Sequence, residues 1–199
     1  MSQSPESKLI SERGLDYRIL QGLLKSKNWE KADIETSKQM LQATGRDHWE
    51  NVSVKDLLNF PCQDLITIDS LWTSSSDGKF GFSAQKEVYV KCGANLDGKY
   101  PGHDIYSNFY DAVGWNFYDG GVRWKKLVDT LAPHGHFPVL AHRQWWGPGH
   151  RLSFYWLGIK FSDDLYIPSL MYRKTMCQIV KSSSWLSKIL FLKKHSKKT

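Results

Sequence analysis

Apolar residues recur along this chain at helical intervals rather than in alternation. Leu65, Ile68, Leu71 and Trp72 are spaced by three, three and one, which predicts one face of a helix. Pro61 stands where a first helical turn tolerates a residue without an amide hydrogen. Residues 74–78, three serines followed by Asp77 and Gly78, read as a turn, because small polar residues and glycine admit positive φ and local capping. Phe80-Gly81-Phe82-Ser83 then opens a further helix expected over 84–90. Upstream, Leu15, Ile19, Leu20, Leu23 and Leu24 recur at helical spacing, and Asn28 suits the N-cap of a helix over 29–42. Residues 44–52 read as a loop and 54–58 as a short helix. Tyr106, Phe109, Tyr110 and Val113 mark another amphipathic helix, and 97–102 and 119–121 are turns. Only 152–161 is ambiguous between strand and helix. The pattern predicts an all-α protein: a single compact domain of several short helices joined by long, aromatic-rich loops.

Composition narrows the class. A chain of 199 residues with 41% hydrophobic content fits one globular domain with a workable core, and no run approaches the roughly 20 apolar residues of a membrane span. The opening residues 1–13 are polar and expected to be loose; they carry neither an apolar signal segment nor the acid-free, Arg-rich pattern of a transit peptide. Either the protein is made where it works, or a targeting segment precedes this stretch. Three scattered cysteines, Cys62, Cys92 and Cys177, argue for a reducing compartment and against a disulfide frame or zinc site.

The net charge of +7 changes meaning once it is located. Six lysines and no acid lie in 181–199, which leaves 21 basic and 20 acidic side chains in the other 180 residues, a net of +1. A phosphate-binding face on the domain is therefore not expected, and nucleic acid is not a partner. The basic end, with Ile179, Val180, Trp185, Ile189, Leu190 and Leu192, could form an amphipathic helix over 176–194. It would either pack on the domain with a solvated lysine end or touch an anionic membrane surface.

The window 59–85 also carries a string of fixed residue types: Phe60-Pro61, Asp64-Leu65, Thr67-Ile68, Leu71-Trp72, Gly78, and Phe80-Gly81-Phe82-Ser83-Ala84-Gln85. Residues 23–36 precede it, with Asn28-Trp29 and Thr36. Gly114-Trp115, Arg123-Trp124 and Ala132-Pro133-His134-Gly135-His136-Phe137-Pro138 follow it. This arrangement resembles the genomes-uncoupled family of tetrapyrrole-binding proteins, porphyrin-binding regulators of magnesium chelatase in oxygenic phototrophs. The resemblance covers about residues 15–140 and fades after Pro138. It implies a domain over 14–161, preceded by a loose 1–13 and followed by a divergent C-terminal extension over 162–199.

A porphyrin is a broad apolar disc with ionised propionates on one edge, so its holder needs a concave aromatic surface and basic or amide donors at the rim. Nine tryptophans, nine tyrosines and nine phenylalanines supply the material, and Trp49, Trp115, Trp124, Trp145 and Trp146 fall in loop-like segments suited to stacking, although most of them are expected to be structural. By resemblance, Trp124, nine residues after Trp115, borders the pocket, with Arg123 beside it and Phe137 in the following string. Val54 falls where relatives place a phenylalanine. Relatives anchor the propionates with two arginines three apart; here Arg143 is one residue off that register, and Arg151, beyond a Gly-Pro-Gly turn, would supply the second charge. Trp145 and Trp146 would close over the disc and hint at an open-chain bilin as an alternative ligand. His134 and His136 invite an axial-ligand reading, set against a turn-binding one.

No G-x-x-x-x-G-K-[ST], G-x-S-x-G or H-E-x-x-H motif occurs, and Asp64 and Asp69, five apart, do not share a helix face. They read as helix-start and surface or loop-capping acids. The expectation is a non-enzymatic, monomeric protein binding protoporphyrin or magnesium-protoporphyrin and stimulating magnesium chelatase through its large porphyrin-binding subunit. The resemblance implies chloroplast stroma, with membrane contact as an option, or cyanobacterial cytoplasm. The alternative is a sensory or adaptor domain of the same fold that binds a bilin or another protein partner.

Overall fold

The computed structural model describes residues 9–115, 131–139 and 165–179. Within them the chain is helical and no strand occurs. The order is α1 (Arg18–Lys25), α2 (Trp29–Thr44), a 3-10 turn (Trp49–Asn51), α3 (Val54–Leu58), α4 (Cys62–Ser75), α5 (Phe82–Lys91), α6 (His103–Ala112) and α7, which spans 166–179. Helix α1 packs on α2 and α4, α4 on α5, and α5 on α6.

The ends of these helices follow from local chemistry. Asn28 caps α2, its side chain accepting from the Lys31 amide at 3.4 Å, and Gly45 closes the helix in the left-handed region at φ 72°. Ser53 and Asp56 form a reciprocal capping box at the start of α3.

The centre of the core is aromatic. Trp72 on α4 stacks with Trp29, at 6.0 Å between ring centroids, and with Phe137, at 5.8 Å; Phe80 meets Trp29 and Phe137 edge-on at 5.3 and 5.2 Å. The Trp72 indole N–H donates to Thr36 Oγ1 at 2.9 Å, so the largest core ring leaves no polar group unmet.

The signature window proves to be scaffold. Phe60, Phe80 and Phe82 are buried. Gly81 sits at φ 113°, and a Cβ there would come within 3.0 Å of Asp69 Oδ1, so both its backbone and its missing side chain are required. The Ser83 amide and hydroxyl donate to Asp69 at 2.8 and 2.7 Å, and Gln85 Nε2 donates to the Pro138 carbonyl at 2.7 Å.

Three buried aspartates then tie the chain together, two of them holding non-helical backbone and the third holding the start of α5. Asp33 accepts from the Val139 amide at 2.8 Å, Asp64 from the Glu12 amide at 2.9 Å, and Asp69 from Ser83. Asp64 also accepts from the hydroxyls of Ser11 and Tyr17. Asp64 does stand in the first turn of α4 and both acids cap backbone amides, as expected; only a surface position is corrected, since each carboxylate is enclosed where it meets several donors that would otherwise be orphaned.

Two further readings change. The structure pairs Cys62 with Cys177, their Cα atoms 5.2 Å apart across 115 residues of sequence, leaving Cys92 as the free thiol. An odd cysteine count does not reveal a pair that only the fold brings together. Helix α7 begins ten residues before the expected 176, within the stretch expected to form an extension, and contributes Ile167, Leu170, Met171 and Cys177 to the core. Its Lys174 lies 2.7 Å from Asp69 with both side chains enclosed. The remainder of the amphipathic stretch, 180–194, lies outside the described residues, as does 152–161.

Candidate ligand-binding face

Val54 is the first residue of α3, and its position is fixed from several sides. The Ser53 hydroxyl accepts from the Asp56 amide at 3.2 Å while Asp56 accepts from the Ser53 amide at 2.8 Å. Arg46, just past the Gly45 cap, pairs with Asp56 at 3.0 Å, and this guanidinium holds the Asp56 carboxyl down at about 2. The Trp49 indole donates to Ser37 at 2.9 Å, tying the preceding 3-10 turn to α2. Tyr166 on α7 donates its hydroxyl to the Val52 carbonyl at 2.5 Å. Val54 itself is half-exposed and lies outside the core cluster. An apolar side chain on a braced, partly open turn can offer a rigid patch to an apolar ligand without a large ordering cost.

The segment 131–139 is braced in the same manner. The Gly135 amide donates to the Lys79 carbonyl at 2.9 Å, the Gly81 amide donates to the Phe137 carbonyl at 2.8 Å, and the Trp115 indole donates to the His136 carbonyl at 2.9 Å. His136 is buried; its Nδ1–H donates to the Val113 carbonyl at 2.7 Å, and burial lowers its pKa against the pull of that carbonyl. The neutral ring is thus a structural link between α6 and this segment, so the turn-binding reading replaces the axial-ligand one. His134 stays at the surface, 3.3 Å from Glu87.

Phe137, expected to touch the ligand, is a core residue here. Its ring is 5% exposed and is occupied by Trp72, Phe80 and His136. Trp49 and Trp115, expected as loop aromatics suited to stacking, are also buried, because each indole N–H finds an acceptor and each ring pins a loop to the bundle. Trp124, Arg123, Arg143, Trp145 and Arg151 lie outside the described residues. Of the expected site, the structure therefore describes Val54, at a braced half-open turn, and Phe137, beneath the surface.

Sequence reasoning missed the braces: Tyr166, Arg173 (whose Nε donates to the Phe60 carbonyl at 2.7 Å), Lys174 and Asp33. No short motif marks them, because each works across a long sequence separation. The sequence pattern marks the tyrosines of α6 only as a helix face, not as a cluster. Tyr106 and Tyr110 lie 4.8 Å apart, with Tyr100 5.4 Å from Tyr106. Among the described residues no group of His, Cys, Asp or Glu is placed to hold a metal, and no helix is long and apolar enough to cross a membrane.

A family model described as GUN4-like matches residues 10–150. A Ycf53-like protein of Synechocystis sp. (strain ATCC 27184 / PCC 6803 / Kazusa) is 32% identical over 136 residues, 66% of this chain and 54% of that protein. A chloroplastic tetrapyrrole-binding protein of Arabidopsis thaliana is 29% identical over 116 residues, 57% of this chain and 37% of that protein. The chain thus spans about half the length, or less, of these curated relatives. The structure of GUN4 from Chlamydomonas reinhardtii superposes with a TM-score of 0.58 at 23% identity, over 82% of this chain and 92% of that one, a likeness of fold.

Proposed function

The chain belongs to the GUN4-like family, and from that premise we propose that it is a non-enzymatic tetrapyrrole-binding protein that stimulates magnesium chelatase. The observation that carries the reading is the family match over 10–150, a span that includes the candidate face from Val54 to Trp145. A relative named as a tetrapyrrole-binding protein supports it. The ligand is protoporphyrin or magnesium-protoporphyrin, held by its apolar faces against Trp124, Val54 and Trp145, with Arg123, Arg143 and Arg151 serving the propionate edge. Phe137 serves from below, as part of the stack that keeps 131–139 rigid.

A pocket of this kind buries the disc and leaves one edge open, so the ligand can pass to or from the large porphyrin-binding subunit of the chelatase. Burying a flat aromatic ligand against such a surface contributes about 25 cal/mol for each Å² removed from water. The protein works as a monomer in a plastid or in the cytoplasm of a cyanobacterium.

Parallel titrations of the purified chain with a metal-free porphyrin, a magnesium porphyrin and a bilin test the ligand class. Saturable binding of the first two is the expected result, and binding of the bilin alone contradicts it. Retrieval of the chelatase large subunit in a porphyrin-dependent pull-down is expected of the partner; its absence overturns that part.

A further inference from the structure

We propose that the Cys62–Cys177 bond is a redox-modification site, which a dithiol reductant opens, and that opening it loosens the clamp α7 places on α3. The bond joins the first residue of α4 to the last turn of α7, with Cα atoms at a separation ordinary for a disulfide. Cys177 is 1% exposed while Cys62 is half-buried, so Cys62 is the half of the bond that faces an incoming thiolate more openly. Cys92, the remaining cysteine, sits at the end of α5, and burial raises its thiol pKa, which keeps it protonated and a poor internal competitor.

What the bond controls is read from the contacts of α7. Tyr166 holds the Val52 carbonyl at 2.5 Å and Arg173 holds the Phe60 carbonyl at 2.7 Å, so two side chains of one helix grip the backbone on either side of α3. Lys174 reaches Asp69 at 2.7 Å one turn before Cys177. The covalent link therefore pins the end of α7 that carries Arg173 and Lys174, and through the helix keeps the Tyr166 grip at its start in place. Without it these noncovalent grips must hold the helix alone, against the entropy of a chain that crosses 115 residues between the two cysteines.

A thiolate of the dithiol attacks Cys62 Sγ, the bond to Cys177 breaks, and Cys177 leaves as a thiolate that takes up a proton. The second thiol of the reductant, as its thiolate, attacks the mixed disulfide and frees Cys62, which is protonated in turn. The reductant departs as a disulfide, having given two electrons and two protons.

The proposal needs no ligand and is tested on the ligand-free full chain. Dithiothreitol is the probe, and thiols are counted by maleimide labelling after denaturation. One labelled cysteine before reduction and three after are expected from the three in the chain. Hydrogen–deuterium exchange should then accelerate at least several-fold in 166–179 and 52–60 on reduction, with 29–44 unchanged. Cys62→Ser should show the fast pattern without reductant, and Cys92→Ser should behave as the wild type. Three labelled cysteines in the air-oxidised protein, unchanged exchange after reduction, or acceleration spread evenly over every helix would each overturn it. The wild-type comparison decides the matter even if Cys62→Ser does not fold, and a failure of porphyrin binding leaves this readout untouched.

Discussion

Lys174 Nζ lies 2.7 Å from Asp69 Oδ2, with side chains only 4% and 6% exposed, and this pair locks α7 onto the junction of α4 and α5. Asp69 also takes the amide and hydroxyl of Ser83, so one carboxylate serves two elements. Lys174→Ala leaves that buried charge without its cation. Loss of about 3–5 kcal/mol is expected in urea unfolding. Asp69→Asn combined with Lys174→Met should recover part of the loss, and strictly additive effects would show that the two residues act separately.

Tyr17 donates to the buried Asp64 at 2.8 Å, and its own pKa is pushed up by burial and by that carboxylate. Tyr17→Phe keeps the ring and removes the donor. A cost of about 1.5–3 kcal/mol in urea unfolding follows for a hydrogen bond to a charged group, whereas Ile19→Ala, at a residue 59% exposed, should cost far less.

Acid should weaken the fold through His136. Its pKa is lowered by burial from the ordinary value of 6.5, so the unfolded chain takes up a proton more readily than the folded one. The stabilisation is complete above 6.5 and is lost as pH falls through the window between that value and the lower folded-state pKa. Nearby Lys79 adds to the shift in the same direction. Urea midpoints at a pH above and a pH below 6.5 measure the slope, and His136→Gln should flatten it.

The cap of α3 sets how firmly Val54 is presented. Ser53→Ala removes the acceptor for the Asp56 amide and should cost about 1 kcal/mol. Hydrogen exchange in 54–58 should speed up while that of α2 stays the same. An equal change in both helices would mean that the cap serves the whole fold rather than this turn.

Helices and much of the core were legible in the sequence because periodicity reports burial directly. The face of Leu65, Ile68, Leu71 and Trp72 is buried as the spacing implies, and α3 has the expected bounds. The family string was legible too, yet what it encodes is scaffold: Phe60, Asp64, Gly81 and Gln85 hold the bundle and its adjoining segments. A strong motif thus identified the fold without marking the ligand face. Phe137 and Trp115 are both buried, and the sequence does not announce it, since an aromatic in a loop looks the same there whether it meets a ligand or plugs the core. The Cys62–Cys177 and Asp69–Lys174 pairs were hidden by separations of over a hundred residues, which no local pattern reports.

The central claim is that this chain holds a flat tetrapyrrole against a face that includes Trp124 and Val54. Tryptophan fluorescence of the purified protein titrated with deuteroporphyrin, in the wild type and in Trp124→Ala, tests it most directly. Saturable quenching that weakens several-fold in the variant, with an unchanged thermal midpoint, is the predicted result; no saturable quenching in the wild type, or equal affinity in both proteins, would contradict it.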